Sequence, residues 1–120
     1  THCISSAASD VYKRQVMNYE AVLAKLIEFR DRKQWQEYHT LISLSRALSI
    51  ESSEVEKVFL WKRNDEDLDS SDIVNLKMEV ADVLTYAYYL CEKLGENPND
   101  LVNEKLEINQ TRHWKFDHKE

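Results

Sequence analysis

Leu44-Ser45-Arg46-Ala47-Leu48-Ser49-Ile50-Glu51-Ser52-Ser53-Glu54-Val55-Glu56-Lys57-Val58-Phe59 is the stretch on which the fold turns. Leu44, Leu48, Val55, Val58 and Phe59 recur at helical spacing, which predicts a helix from about Leu41 to Trp61 with one apolar face. Glu51 interrupts that face. It has Leu44 at i−7, Leu48 at i−3, Val55 at i+4 and Val58 at i+7, so a carboxylate projects from the middle of the stripe. Buried without a partner, it costs on the order of several kcal/mol, and the usual escapes are protonation, an Arg or Lys partner, or a metal.

On the N-terminal side, Val22, Leu26 and Phe29 repeat at helical spacing and Trp35 continues the run less regularly, predicting a first helix from about Asn18 to His39. On the C-terminal side, the polar segment Lys62 to Asp69 breaks the pattern. Ser70 or Ser71 then caps a third helix reaching Leu94, with Ile73, Leu76, Val80, Val83, Ala87, Leu90 and Leu94 on one face and Gly95 placed to end it. Asn97-Pro98-Asn99-Asp100 is a turn and cap signal before a fourth helix from about Leu101 to Arg112.

One Gly and one Pro in 120 residues leave too little turn punctuation for a sheet of short strands, and the length is that of one domain. The reading is all-α, a four-helix bundle that also shares its core with further copies of itself, because four amphipathic helices cannot each bury a stripe alone. The patterned domain covers residues 17–112. Residues 1–16 are Ser- and Ala-rich without hydrophobic period and resemble translated cloning read-through, a non-native or disordered leader; residues 113–120 read as a loose charged tail.

Sixteen Lys and Arg against 22 Asp and Glu give a formal charge of −6, which disfavours nucleic acid polymers and anionic membranes as partners. A small anionic substrate needs a local correction, and divalent cations supply one by inverting the field of an acidic site. Cys3 and Cys91 lie far apart in no metal-ligand spacing, and Cys91 reads as a small core residue. Neither a membrane span nor a secretory signal is legible, so the cytoplasm is the default expectation.

Glu54 lies three residues beyond Glu51, and Glu79 and Asp82 repeat the i, i+3 geometry on the third helix. ExxE followed by ExxD converges into one cluster if the two helices pack antiparallel. The bland alternative is two solvated acidic faces, which the placement of Glu51 disfavours. Hard oxygen donors with no accompanying Cys and no HExxH favour Mg²⁺, with Mn²⁺ as the alternative.

Four ordered segments carry a family resemblance. Phe29-Arg30-Asp31-Arg32-Lys33-Gln34-Trp35-Gln36-Glu37-Tyr38-His39 resembles FRDxRxWxxFH, and Leu48-Ser49-Ile50-Glu51-Ser52-Ser53-Glu54 through Val58-Phe59-Leu60-Trp61 is similar to LxxExxEL…FxW. Glu79-Val80-Ala81-Asp82-Val83-Leu84 matches ExxDVL, and Lys105-Leu106-Glu107-Ile108-Asn109-Gln110-Thr111-Arg112 looks like KxxxNxxK/R. On these segments the chain resembles the MazG-like nucleotide pyrophosphohydrolases, an all-α family that includes the small dCTP pyrophosphatases.

The resemblance implies Mg²⁺-dependent hydrolysis of (deoxy)nucleoside triphosphates to nucleoside monophosphate and pyrophosphate, a house-cleaning role with dCTP-like or other dNTP substrates. Glu51, Glu54, Glu79 and Asp82 would be the metal ligands; Glu51 and Glu54 are the candidate catalytic residues, Glu54 as the acceptor of the water's proton. Trp35, His39 and Trp61 are candidates for the nucleobase pocket, and Lys105, Asn109 and Arg112 for phosphate or sugar contacts. A homodimer or homotetramer is implied, with pockets drawing on two chains.

Two departures stand out: Thr40-Leu41-Ile42 replaces a Pro-Lys pair after the His, and Lys57 stands where another carboxylate often follows. Two other readings remain open, a related dUTP or phosphoribosyl-ATP pyrophosphohydrolase and a noncatalytic helical module that binds a nucleotide or a protein.

Overall fold

The computed structural model describes residues 17–112, so the expectations for the leader and the tail lie outside the described residues. The described chain is all-helical, with α1 over Tyr19–Arg32, α2 over Leu41–Lys57, α3 over Ser70–Leu94 and α4 over Pro98–Gln110, plus short 3₁₀ turns at Gln36–Tyr38 and Asp65–Asp67. None of these helices is long and apolar enough to cross a membrane.

Side chains set where each helix begins. The Ala21 N–H donates to Asn18 Oδ1 at 2.9 Å, and the Ser43 N–H donates to Thr40 Oγ1 at 3.1 Å, each satisfying a free first-turn donor. At α3 the cap is Asp69 rather than Ser70 or Ser71. Asp69 and Asp72 exchange backbone and side-chain bonds at 2.8 and 3.0 Å, a reciprocal capping box built from two aspartates. Asn97 caps α4, and Pro98 takes its first position, where a missing N–H costs nothing.

The helix ends differ more from the sequence expectation. α1 stops at Arg32 and does not continue to His39, because Gln34 adopts φ 59° and reverses the chain. The Gln34 N–H donates to the Asp31 carbonyl and the Trp35 N–H to the Arg30 carbonyl, the paired bonds of a Schellman terminus, with Gln in the place Gly usually takes. α2 stops at Lys57, not Trp61, and runs into tight turns ending in Trp61 at φ 66°. At α3 the glycine is where the pattern put it: Gly95, at φ 69°, is the left-handed stop.

α2 and α3 form the principal helix pair, and α1 packs on α3. Leu44, early in α2, shares a cavity wall with Tyr86, late in α3, while Glu51, nearer the end of α2, meets Glu79 and Asp82, nearer the start of α3. The pair is therefore antiparallel. Lys62 Nζ lies 3.0 Å from Asp72 Oδ2 and fastens the connection to the first turn of α3.

Little is buried within one copy. Leu44 and Tyr89 are the only apolar side chains fully buried among the described residues, and Cys91 is half-buried. The expected α3 stripe is only half covered, with Ile73, Val80 and Leu94 exposed, and Val74, Met78 and Leu84 form further apolar surface beside it. Ile42 and Ile50 on α2 and Val102, Leu106 and Ile108 on α4 are also open.

Leu44→Ala removes the best-buried aliphatic group between α2 and α3 and is expected to cost about 3 kcal/mol. Urea unfolding at fixed protein concentration reads this directly, and a loss under about 0.5 kcal/mol would contradict the packing described.

Candidate functional site

Antiparallel packing brings Glu51, Glu79 and Asp82 together. One carboxylate oxygen from each lies within 4.8 Å of the other two, a donor set suited to a cation. Burial pushes the Glu51 carboxyl above the ordinary carboxylate range, and the charges of Asp82, Glu79 and Glu54 push it further. Glu54 is outside the trio. Its Oε1 lies 3.0 Å from Lys57 Nζ on the same helix, so the lysine at that position holds the carboxylate beside the cluster.

Glu51 and Asp82 also line a cavity of about 410 Å³, whose other walls include the rings of Phe29, Trp35, His39, Tyr86 and Tyr89. A neighbouring cavity of about 360 Å³ shares Trp35, His39 and Tyr86 and is completed by Tyr38, Ser43, Leu44 and Ala47. Phe29 and Trp35 meet edge-to-face at 5.5 Å between ring centroids, with Arg32 and Lys33 each 5.7 Å from the Phe29 ring. The reversal at Gln34 is what swings Trp35 off the helix and onto this wall.

His39 precedes the Thr40 cap of α2 and is 8 % exposed. Burial lowers its pKa and Arg30 lowers it further, so the imidazole is neutral at pH 7. Its Nδ1 is buried without a hydrogen-bond partner, leaving polar capacity beside the cavity. A neutral imidazole has one donor and one acceptor nitrogen, which suits recognition of a heterocyclic edge.

Of the residues singled out in the sequence, Glu51, Glu79 and Asp82 meet one another, and Trp35 and His39 share the adjoining cavity. Trp61 lines neither cavity; it is 98 % exposed at the tip of the α2–α3 connection. Lys105, Asn109 and Arg112 belong to α4 and its last turn and line neither cavity, and Asn109 Oδ1 is buried without a partner among the described residues.

The sequence reading passed over Tyr86, although its position four residues after Asp82 and seven after Glu79 puts it on the carboxylate face of α3. Burial pushes its phenol up, and Glu51 and Asp82 push it further, so it joins the aromatic wall to the acids.

The raised Glu51 value has a consequence for stability. The folded state holds the Glu51 proton to higher pH than the unfolded state, so stability declines as pH rises from the ordinary carboxylate range through the raised value, and the loss persists above it. Glu51→Gln is therefore expected to unfold at a higher temperature than wild type at neutral pH in metal-free buffer. It should also lack the stabilisation that a divalent cation gives wild type, and a lower metal-free midpoint for the variant would contradict this account.

Residues 47–120, more than half of the chain and all four acids, match the model of the MazG-like family. No curated protein sequence matches the chain. Among solved structures, that of a pyrophosphatase from Archaeoglobus fulgidus is 34 % identical and superposes with a TM-score of 0.71, over 80 % of this chain and 92 % of its own. The chain belongs to the MazG-like family.

Proposed function

We propose that the chain is a Mg²⁺-dependent pyrophosphohydrolase that converts (deoxy)nucleoside triphosphates to nucleoside monophosphate and pyrophosphate, clearing dCTP-like or other dNTPs from a cytoplasmic pool. The observation that carries this reading is that Glu51 and Asp82 line the same cavity as five aromatic or imidazole rings. A charged phosphate end and a flat base end are thus adjacent in one site. The match to a pyrophosphatase supports the reaction class.

The donor set fits a hard dication. Burial first, and then the charges of its neighbours, drive up the Glu51 value, and oxygen-only donors favour Mg²⁺ over softer metals. Glu51, Glu79 and Asp82 would hold it, with Glu54 joining as a ligand or remaining the proton acceptor. Bound Mg²⁺ neutralises phosphate charge and lowers the pKa of a coordinated water. The chain's own groups bind and orient: Trp35 and Phe29 offer faces for the base, and neutral His39 offers its edge a hydrogen bond. Leu26, Tyr86 and Tyr89 complete the wall of the cavity.

The exposed apolar faces of α2, α3 and α4 support a homodimer or homotetramer. In such an assembly Lys105, Asn109 and Arg112 would approach the phosphates of a site completed by a second copy. Light scattering is expected to give the mass of a dimer or tetramer, and a monomer at micromolar concentration would contradict this part.

The Glu54–Lys57 ion pair favours a second reading, a noncatalytic nucleotide-binding module, because it engages the candidate proton acceptor. Purified protein with Mg²⁺ and a dNTP panel separates the two. Pyrophosphate release is expected, falling more than about a hundredfold in Glu51→Gln. Calorimetric binding of an intact triphosphate without turnover would instead support the module.

A further inference from the structure

Tyr89 performs no chemical step in the reaction proposed above, yet it joins α3 to α1 and to His39. It is 3 % exposed, lies on α3 and lines the cavity that holds Glu51 and Asp82. Its hydroxyl donates to the main-chain carbonyl of Leu26 on α1 at 2.7 Å, a tie across 63 positions of sequence. Its ring meets the His39 imidazole edge-to-face, with centroids 4.6 Å apart and planes at 70°, and lies 6.4 Å from the Tyr86 ring. Burial pushes the phenol up, so it keeps its proton and remains a donor through the neutral range.

The His39 side chain depends on such a neighbour. Its backbone is held by the bond from its N–H to the Gln36 carbonyl, but among the described residues no hydrogen bond fixes Nδ1. Packing therefore bears on the plane of the ring, and the Tyr89 ring is in direct contact with it. Leu26 and Phe29 of α1 line the same cavity as Tyr89, and Arg30 of α1 reaches Glu92 of α3 at 3.4 Å one turn further on. The Tyr89–Leu26 bond, together with the Arg30–Glu92 pair, therefore ties the helix that carries Phe29 to the helix that carries Glu79 and Asp82.

We propose that Tyr89 is a positioning residue for base recognition: anchored on the Leu26 carbonyl, it holds the His39 imidazole and the α1 wall in the arrangement that receives the heterocycle. The inference rests on the nucleotide-site reading above. It assigns Tyr89 an influence on the base end and none on the phosphate end, a division that a purely structural role does not produce.

Two probes separate the ends, an α,β-imido analogue of dCTP and inorganic tripolyphosphate, each titrated calorimetrically with Mg²⁺ into wild type and Tyr89→Phe. The variant is expected to bind the nucleotide analogue about tenfold more weakly, the scale of one lost hydrogen bond, and tripolyphosphate equally well. The His39 imidazole carbon-bound proton resonances should move toward those of a free histidine. Unmoved His39 resonances in a folded variant, or equal weakening for both probes, would overturn the proposal.

Tyr89→Met, which keeps the bulk and deletes the ring, should show the same pattern. If both variants lose cooperative unfolding, Tyr89 is a core residue only and the proposal also fails. If wild type binds neither probe, the nucleotide reading is what fails, and the His39 resonances alone decide whether Tyr89 orients that ring.

Discussion

Carboxylate oxygens of Glu51, Glu79 and Asp82 lie within 4.8 Å of one another, and the packing of α2 against α3 is what holds them there. At such separations each pair of charges repels by on the order of 1 to 4 kcal/mol between bulk water and a protein-surface dielectric. The opposing forces are local and identifiable. Leu44 is buried in the same helix pair, the Asp69–Asp72 box starts α3, and Lys62 ties the connecting segment to Asp72. Burial, and then the charges of Asp82, Glu79 and Glu54, make Glu51 hold its proton more tightly. An apolar stripe interrupted by one acid is thus the footprint of a helix whose inner face serves a site as well as a core.

The second half of the site comes from the segment between α1 and α2, where regular structure is weakest. A left-handed Gln34 ends α1 early, places Trp35 across from Phe29, and delivers His39 to the mouth of α2. The acids and the rings of Phe29, Tyr86 and Tyr89 sit on helices, whereas Trp35 and His39 sit on the connecting turn. Under the proposed function, the helix-borne acids would fix the phosphate end and the turn-borne Trp35 and His39 would shape the base end. The core is sparse: among the described residues Leu44 and Tyr89 alone are deeply buried apolar side chains, and apolar faces of α2, α3 and α4 stay open.

The helical class, the four elements and the approach of Glu51 to Glu79 and Asp82 were legible because hydrophobic period and helical spacing are carried by the residues themselves. The early ends of α1 and α2 were not. Both pass through left-handed residues, Gln34 and Trp61, that lack the glycine by which such stops are recognised, and the Gly95 stop was found for that reason. Trp61 was read into the base pocket on its chemistry, but the turns after Lys57 carry it to the solvent-exposed tip. Glu54 shares its spacing with Glu51, yet its carboxylate is drawn to Lys57, a competition that spacing cannot report. Tyr86 was recoverable, since it follows Asp82 by one helical turn. Tyr89 was not, because its bond to Leu26 joins distant positions.

The central claim is that Glu51, Glu79 and Asp82 bind a divalent cation at the edge of an aromatic cavity. Paramagnetic broadening by substoichiometric Mn²⁺ tests it without reference to turnover. Selective loss of the Glu51, Glu79, Asp82 and Tyr86 signals, reversed by excess Mg²⁺, is the result the account predicts. Broadening that spares these residues, or that falls evenly over the acidic surface, would contradict it.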